Sequence, residues 1–341
     1  MPSRNRSSWT RPALGAALAV ALVAAGCGGP FPQSTLHPVS DFATSIDQLF
    51  RSIVWWAALV FVVVEGLLVY VLIRFRDRGG DGTPEPVHGN ALLEVGWTLA
   101  PAVILVLIAV PTIRTIWTVD NPPDDANALQ VEVVGHQWWW EFNYPGLGVT
   151  TANEMHVPVD RTVQLSLRSA DVIHSFWVPR IGGKRDVNPG ETTGLWFTVD
   201  SAGVYPGQCA EFCGTSHSLM KMEVVAQDSA SFRRWVERQR QPAEAPASEL
   251  AQRGRELFMG QAACFSCHAV EGTMARGAVG PELTHVAGRR TIAAGILPND
   301  STAMARWLQD PQAVKPGNLM RIRDLDDETI AALIAYLQTL E

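Results

Sequence analysis

Residues 54–73 and 95–116 are predominantly apolar runs rich in Val, Leu, Ile and Ala, and they limit the fold of this chain more than any other feature. A bilayer core is about 30 Å thick and takes about 20 helical residues to cross, so each run is long enough to span it. Arg74, Arg76 and Arg78 follow the first run, and such positive charge marks a loop as cytoplasmic. The pattern predicts a helix hairpin over 45–118, with both outer ends and everything after residue 120 on the extracytoplasmic side of a bacterial inner membrane. Pro101 and Pro111 fall inside the second helix, where a neighbouring helix satisfies the backbone groups a proline frees. Two acids lie in or beside these segments. Glu65 is inside the first run, where an ionisable group marks a functional position, and Glu94 opens the second helix.

Residues 1–26 read as an export signal: Arg4, Arg6 and Arg11, an apolar stretch over 13–25, then Gly26 before Cys27. Small residues before a cysteine resemble a lipoprotein processing site, with Cys27 as the residue carrying membrane lipid. Ala24 stands where a leucine is usual. An uncleaved helix is the alternative, although the run is short for spanning. The formal net charge of -7 argues against nucleic acid as a partner and favours basic protein partners.

Past the hairpin the pattern changes twice. Over 127–226, Leu129–Val134 and Thr162–Leu167 alternate apolar and polar residues, and Pro-Gly pairs at 145, 189 and 206 punctuate the segment, as in an all-β sandwich. Residues 227–248 read as a linker, with a polar stretch over 229–240 that has some helical character and a Pro/Ala-rich end. From 249 to 341 the helical period returns, and Ile330, Leu333, Ile334 and Leu337 form one apolar face.

The five cysteines do not suit a simple disulfide framework. Cys209, Cys213, His217 and Met220 bring two thiols, an imidazole and a thioether into twelve residues. Thiolate and thioether are soft ligands that select copper, and imidazole suits it too. A mononuclear blue-copper site needs one cysteine. Two allow both sulfurs to bridge a copper pair, with His174 as the best second imidazole. Two Cys and two His also suit structural zinc, and Cys209 with Cys213 also suits a disulfide. Neither accounts for Met220 so close to His217. Farther on, Cys264-Phe-Ser-Cys-His268 has the spacing of a c-type haem attachment site, with two thioether anchors and His268 on the iron.

These stretches carry two resemblances. Residues 45–226, with the hairpin, Gly135-His-Gln-Trp-Trp-Trp140, His174-Ser-Phe-Trp-Val-Pro179 and the cysteine loop, resemble subunit II of the haem-copper cytochrome c oxidases. The resemblance implies a cupredoxin-like sandwich holding a dinuclear CuA centre through the side chains of His174, Cys209, Cys213, His217 and Met220 and the carbonyl of Glu211. It also implies magnesium at the Glu211 carboxylate, electrons entering through Trp138, and a proton-channel entrance at Glu94. Residues 249–341 resemble a class I cytochrome c. Met274, Met304 and Met320 compete as its second axial ligand. Lys315-Pro-Gly-Asn-Leu-Met320 matches the family loop and selects Met320, with Arg321 where a proline is usual.

The expected fold is therefore a multidomain membrane protein: a two-helix transmembrane hairpin, an all-β cupredoxin-like sandwich and an all-α cytochrome c domain. The implied function is to pass electrons from an external cytochrome c-type donor through haem c and CuA to oxidase subunit I. That subunit, with haem a and CuB and in company with subunit III, reduces oxygen to water and pumps protons. The small subunit of a CuA-containing nitric oxide reductase is the alternative. A copper assembly protein is disfavoured by the fused haem motif, and a stand-alone carrier by the hairpin.

Overall fold

The computed structural model describes residues 31–76, 86, 88–322 and 325–341. The export signal and Cys27 lie outside the described residues. Helix α1, Asp41–Arg74, and helix α2, Ala91–Asp120, are both longer than their apolar runs. Ser40 caps α1 by accepting from Ala43 N–H, and Asn90 caps α2 by accepting from Leu92 and Leu93 N–H. The polar turns preceding residue 54 continue the helix. Hydropathy marks the part of a helix that suits lipid, whereas capping and backbone hydrogen bonds set its ends.

The helices run antiparallel, and their apolar side chains are exposed, as lipid-facing and subunit-facing surfaces are. Their outer ends are fastened to the sandwich. Ser40 Oγ donates to Ile181 O at 2.5 Å, and Thr198 N–H donates to Asp41 Oδ1 at 2.7 Å. Trp196 packs edge-on against Phe42 and donates to Val119 O at 3.0 Å, and Arg185 pairs with Asp120 at 3.1 Å. The soluble domain is held by both helices at once.

The sandwich has ten strands: β1 Leu129–His136, β2 Trp139–Tyr144, β3 Val149–Ala152, β4 Glu154–Pro158, β5 Thr162–Ser169, β6 His174–Trp177, β7 Arg185–Val187, β8 Thr193–Thr198, β9 Gly203–Cys209 and β10 Lys221–Gln227. One sheet has the order β3-β2-β1-β5-β8 and the other β4-β10-β9-β6-β7. Strands β1 and β5, both legible as alternating segments, pair in parallel from Leu129 opposite Val163 to Gly135 opposite Ser169. Between the sheets lies a core that includes Trp140, Phe142, Phe176 and Phe197, with Cys209, Cys213 and Met220 in the same cluster.

Much of the segment read as linker is packed structure. Ser229–Gln239 forms α3, capped by Asp228, and buries Phe232, Trp235 and Val236. Trp235 stacks on His156 at 4.3 Å and meets Tyr144 at 5.5 Å. Its polar residues form the outer face, and three apolar side chains are enough to join it to the sandwich core.

The last domain is built on α4 Glu249–Met259, α5 Ser301–Gln309, the short α6 Pro311–Val314 and α7 Asp327–Leu337, with a small hairpin of β11 Thr291–Ile292 and β12 Leu297–Pro298. Helices α4 and α7 cross at Gly254, where an added Cβ would lie 1.9 Å from Ala332 O. Backbone against backbone is the only packing that fits there. Gly254→Ala is expected to lower the stability of this domain by about 1–3 kcal/mol, the usual cost of overpacking, in thermal unfolding followed by haem absorbance.

Candidate copper and haem centres

The copper ligands come together because β9 and β10 are paired neighbours joined by the loop that carries most of them. The register runs to Lys221 opposite Gln208, and Cys209 N–H donates to Met220 O at 2.9 Å, closing the loop at its base. Cys209 ends β9, His217 opens a single 3-10 turn, and Met220 directly precedes β10. The adjacent strand β6 starts at His174, and Ala210 N–H donates to Ser175 O at 2.9 Å. A residue 35 positions earlier in the chain is thereby brought to the loop.

The donors converge on a small volume. Cys209 and Cys213 Sγ are 3.7 Å apart, too far for a disulfide bond and suited to two sulfurs bridging a metal pair. His174 Nδ1 lies 3.9 Å from Cys209 Sγ, and His217 Nδ1 lies 3.6 Å from Cys213 Sγ. Met220 Sδ is 3.9 Å from Cys213 Sγ, and the Glu211 carbonyl is 3.2 Å from Cys209 Sγ. The set of two imidazoles, three sulfurs and one carbonyl fits copper, and its two thiolates suit a dinuclear centre. The Glu211 side chain is exposed.

The two thiols shift each other in opposite directions. A hydrogen bond from Cys213 lowers Cys209, and the resulting thiolate raises Cys213. His174 is fully buried, and its Nε2 is 2.7 Å from Asp171 Oδ1. Burial works against its protonation, but the bonds to Asp171 and Cys209 outweigh burial and raise it. Burial would likewise raise the Asp171 carboxyl, yet His174 and the N–H groups of Val172 and Gln137 hold it below its ordinary range. Asp171 thus fixes the ring so that Nδ1 faces the sulfurs, the support a ligating histidine ordinarily needs. Sequence reading passed over Asp171; its only signal was an acid three residues before His174.

In the last domain a cavity of about 620 Å³ is lined by Cys264, Cys267, His268, Met304 and Met320, and also by Trp138 of the sandwich. Cys264 and Cys267 belong to one tight turn, closed by Cys267 N–H and His268 N–H on Cys264 O. His268 Nδ1 is 2.7 Å from Pro281 O, which leaves Nε2 as the ring atom available to iron. Burial lowers the pKa of this imidazole, favouring the neutral ligand form. The cavity's size, its two unpaired thiols and its oriented histidine fit a covalently attached haem. Met320 lines this cavity on a loop tied to α6, with Gln312 Nε2 donating to Met320 O at 3.2 Å and Asn318 Nδ2 to Pro311 O at 2.8 Å. Met274 is 85% exposed and does not line it; Met304 is buried in the domain core and does.

Trp138 lies between the two centres. Its Nε1–H donates to Cys213 O at 3.0 Å while its ring borders the haem cavity, and it is 7% exposed. Glu94 is in the first turn of α2, at the other end of the hairpin from the sandwich.

A membrane hairpin, a sandwich with a thiolate-imidazole-thioether cluster and a c-type haem pocket together define a membrane-anchored electron-transfer protein. The chain matches "Cytochrome C oxidase subunit II, transmembrane domain" over residues 34–119, "Cytochrome C oxidase subunit II, periplasmic domain" over 148–227, and "Cytochrome c" over 251–341. It is 40% identical to cytochrome c oxidase subunit 2 of Alkalihalophilus pseudofirmus, over 93% of each chain, and 36% identical to that of Bacillus subtilis, over 94% of this chain and 95% of the relative. The periplasmic domain of oxidase subunit II from Bradyrhizobium japonicum is 30% identical and covers 35% of this chain, with 96% of its own length matched and a TM-score of 0.33. The chain belongs to the cytochrome c oxidase subunit 2 family, in the form with a C-terminal cytochrome c domain. CuA copper and haem c are its implied cofactors, and the copper domain is on the extracytoplasmic side of the membrane.

Asp171→Asn keeps the shape of the side chain and removes its charge. Copper retention is expected to fall about tenfold to hundredfold, measured as copper per protein and as loss of the mixed-valent paramagnetic signal, with haem content unchanged.

Proposed function

We propose that this chain receives electrons from an external cytochrome-type donor at its haem and passes them through the CuA centre to the catalytic subunit of the oxidase. There oxygen is reduced to water, coupled to proton pumping. One observation carries this reading: Trp138 borders the haem cavity with its ring and donates to the carbonyl of Cys213. The indole thus touches both the haem cavity and the cysteine loop. When bound, haem c and the copper pair supply one-electron chemistry, and a rigid site keeps the cost of each redox change small. His268 and Met320 would hold the haem iron. His174, Cys209, Cys213, His217, Met220 and the Glu211 carbonyl would hold the copper. The exposed Glu211 carboxylate is free to help hold magnesium at the boundary with subunit I. Subunits I and III are the proposed membrane partners, and the exposed apolar faces of α1 and α2 are suited to them. The Alkalihalophilus and Bacillus relatives described above bear the name cytochrome c oxidase, which favours oxygen over nitric oxide as the terminal acceptor.

Purified from membranes, the complex is expected to show haem c absorbance, a mixed-valent copper signal and oxygen uptake. Trp138→Phe should keep both spectra and slow haem-to-copper transfer at least about tenfold. A chain with haem c but no copper signal would overturn the reading.

Glu94 opens α2 at the cytoplasmic end, and we place it at the mouth of a proton path serving the catalytic subunit. Glu94→Gln is expected to slow reduction of the active-site haem while leaving the copper spectrum intact. Normal turnover in that variant excludes the role.

A further inference from the structure

Two buried ionisable side chains cross between the sandwich and the haem domain, one from each side. Glu154, on β4, is 2% exposed, and its Oε1 accepts the N–H groups of Arg290 at 2.6 Å and Thr291 at 2.9 Å. Glu223, opposite it on β10, pairs with Arg290 at 3.1 Å. Lys315 reaches the other way from the loop after α6. It is 3% exposed, and its Nζ donates to Trp138 O at 2.5 Å and to Ala293 O at 3.2 Å. Ser216 Oγ donates to Pro316 O at 2.6 Å and Lys221 N–H to Ala294 O at 3.1 Å, so the contact continues between these anchors.

Among the described residues neither Glu154 nor Lys315 forms an ion pair; backbone polar groups replace water around each, joined at Glu154 by the Thr291 hydroxyl at 3.4 Å. For Glu154 those groups all belong to the other domain. For Lys315 the nearer one does. A polar group buried this way is tolerated only in the register that supplies its partners, because a shifted docking would leave it desolvated and unpaired. Transient encounters between redox partners use hydrated charges at the rim of the contact instead. Buried and reciprocal charges are the mark of one fixed orientation.

The surface they fix is the one over Trp138. Gly317 has φ +81, and a Cβ there would lie 3.1 Å from Trp138 Cη2, so the 315–317 loop passes directly over the indole. A soluble protein cannot reach that ring while the loop is in place.

We propose that Lys315 and Glu154 form a reciprocal clamp that holds the haem domain docked on the Trp138 face of the copper domain, denying that face to soluble cytochromes. Both act as positioning residues. The clamp gives haem-to-copper transfer a fixed geometry, and an external donor must deliver to the haem. The second consequence rests on the reading of Trp138 as the conduit; the docking itself does not.

The test separates the two. A protease site placed at Glu244–Ala245, exposed in the chain between the domains, is cut in the purified, metal-loaded complex, followed by gel filtration at low and high salt. The haem fragment is expected to stay bound to the copper fragment at both. In the Lys315→Met, Glu154→Gln double variant its dissociation constant should rise at least about tenfold, while the copper signal and the Met-ligated haem spectrum stay intact as controls for folding. Release of the haem fragment from the unsubstituted complex on cutting, or retention that both substitutions leave unchanged, overturns the clamp. Uncut, the unsubstituted complex should show haem-to-copper transfer independent of ionic strength, and the double variant a rate that varies with it. A retained fragment combined with a normal transfer rate in Trp138→Phe refutes the conduit and leaves the clamp standing.

Discussion

The hydrogen bond from Cys209 N–H to Met220 O closes the loop between β9 and β10, and the rest of the copper site depends on that closure. It fixes the first and last loop ligands relative to each other through backbone alone. Between them the chain has only enough residues to fold Cys213 and His217 inward. With both cysteine sulfurs and Met220 counted within the sandwich core, the ligands are held by the same packing that holds the fold together. A site held this way changes little when its metals gain or lose an electron. That stiffness suits electron transfer better than it would suit catalysis on a bound substrate.

Support spreads outward from the loop. Strand β6 delivers His174 with its ring set by Asp171, and the outer helix ends fasten onto β8 and its neighbours through Asp41, Val119 and Asp120. The same sandwich therefore faces the membrane at one end and receives the haem domain at another. Trp138 belongs to both the copper surroundings and the haem cavity, so a single side chain touches both sites.

Legibility in the sequence followed the range of the interactions involved. The apolar runs, the alternation in β1 and β5, the loop ligands and the Cys264–His268 motif each lie within a short window, and each was readable. Helix ends are the exception: capping by Ser40 and Asn90 is local too, but it lies outside the apolar runs that mark the helices. Helix α3 was half visible: its polar residues suggested a linker, while Phe232, Trp235 and Val236 found partners on strands far away in the sequence. Asp171 and His174 are three apart, yet nothing local says that one orients the other's ring toward Cys209.

By itself the sequence determined what kinds of atoms this protein brings to its metals and where its chain meets lipid, since ligand type, motif spacing and hydropathy are local properties. Tertiary structure alone decided that Cys209 and Cys213 stand 3.7 Å apart beside His174, and that Trp138 bridges the two centres beneath Lys315. Those arrangements depend on strand pairing and domain docking between residues tens to more than a hundred positions apart. Their stability comes from burial, in which each group has its partner only after the whole has folded.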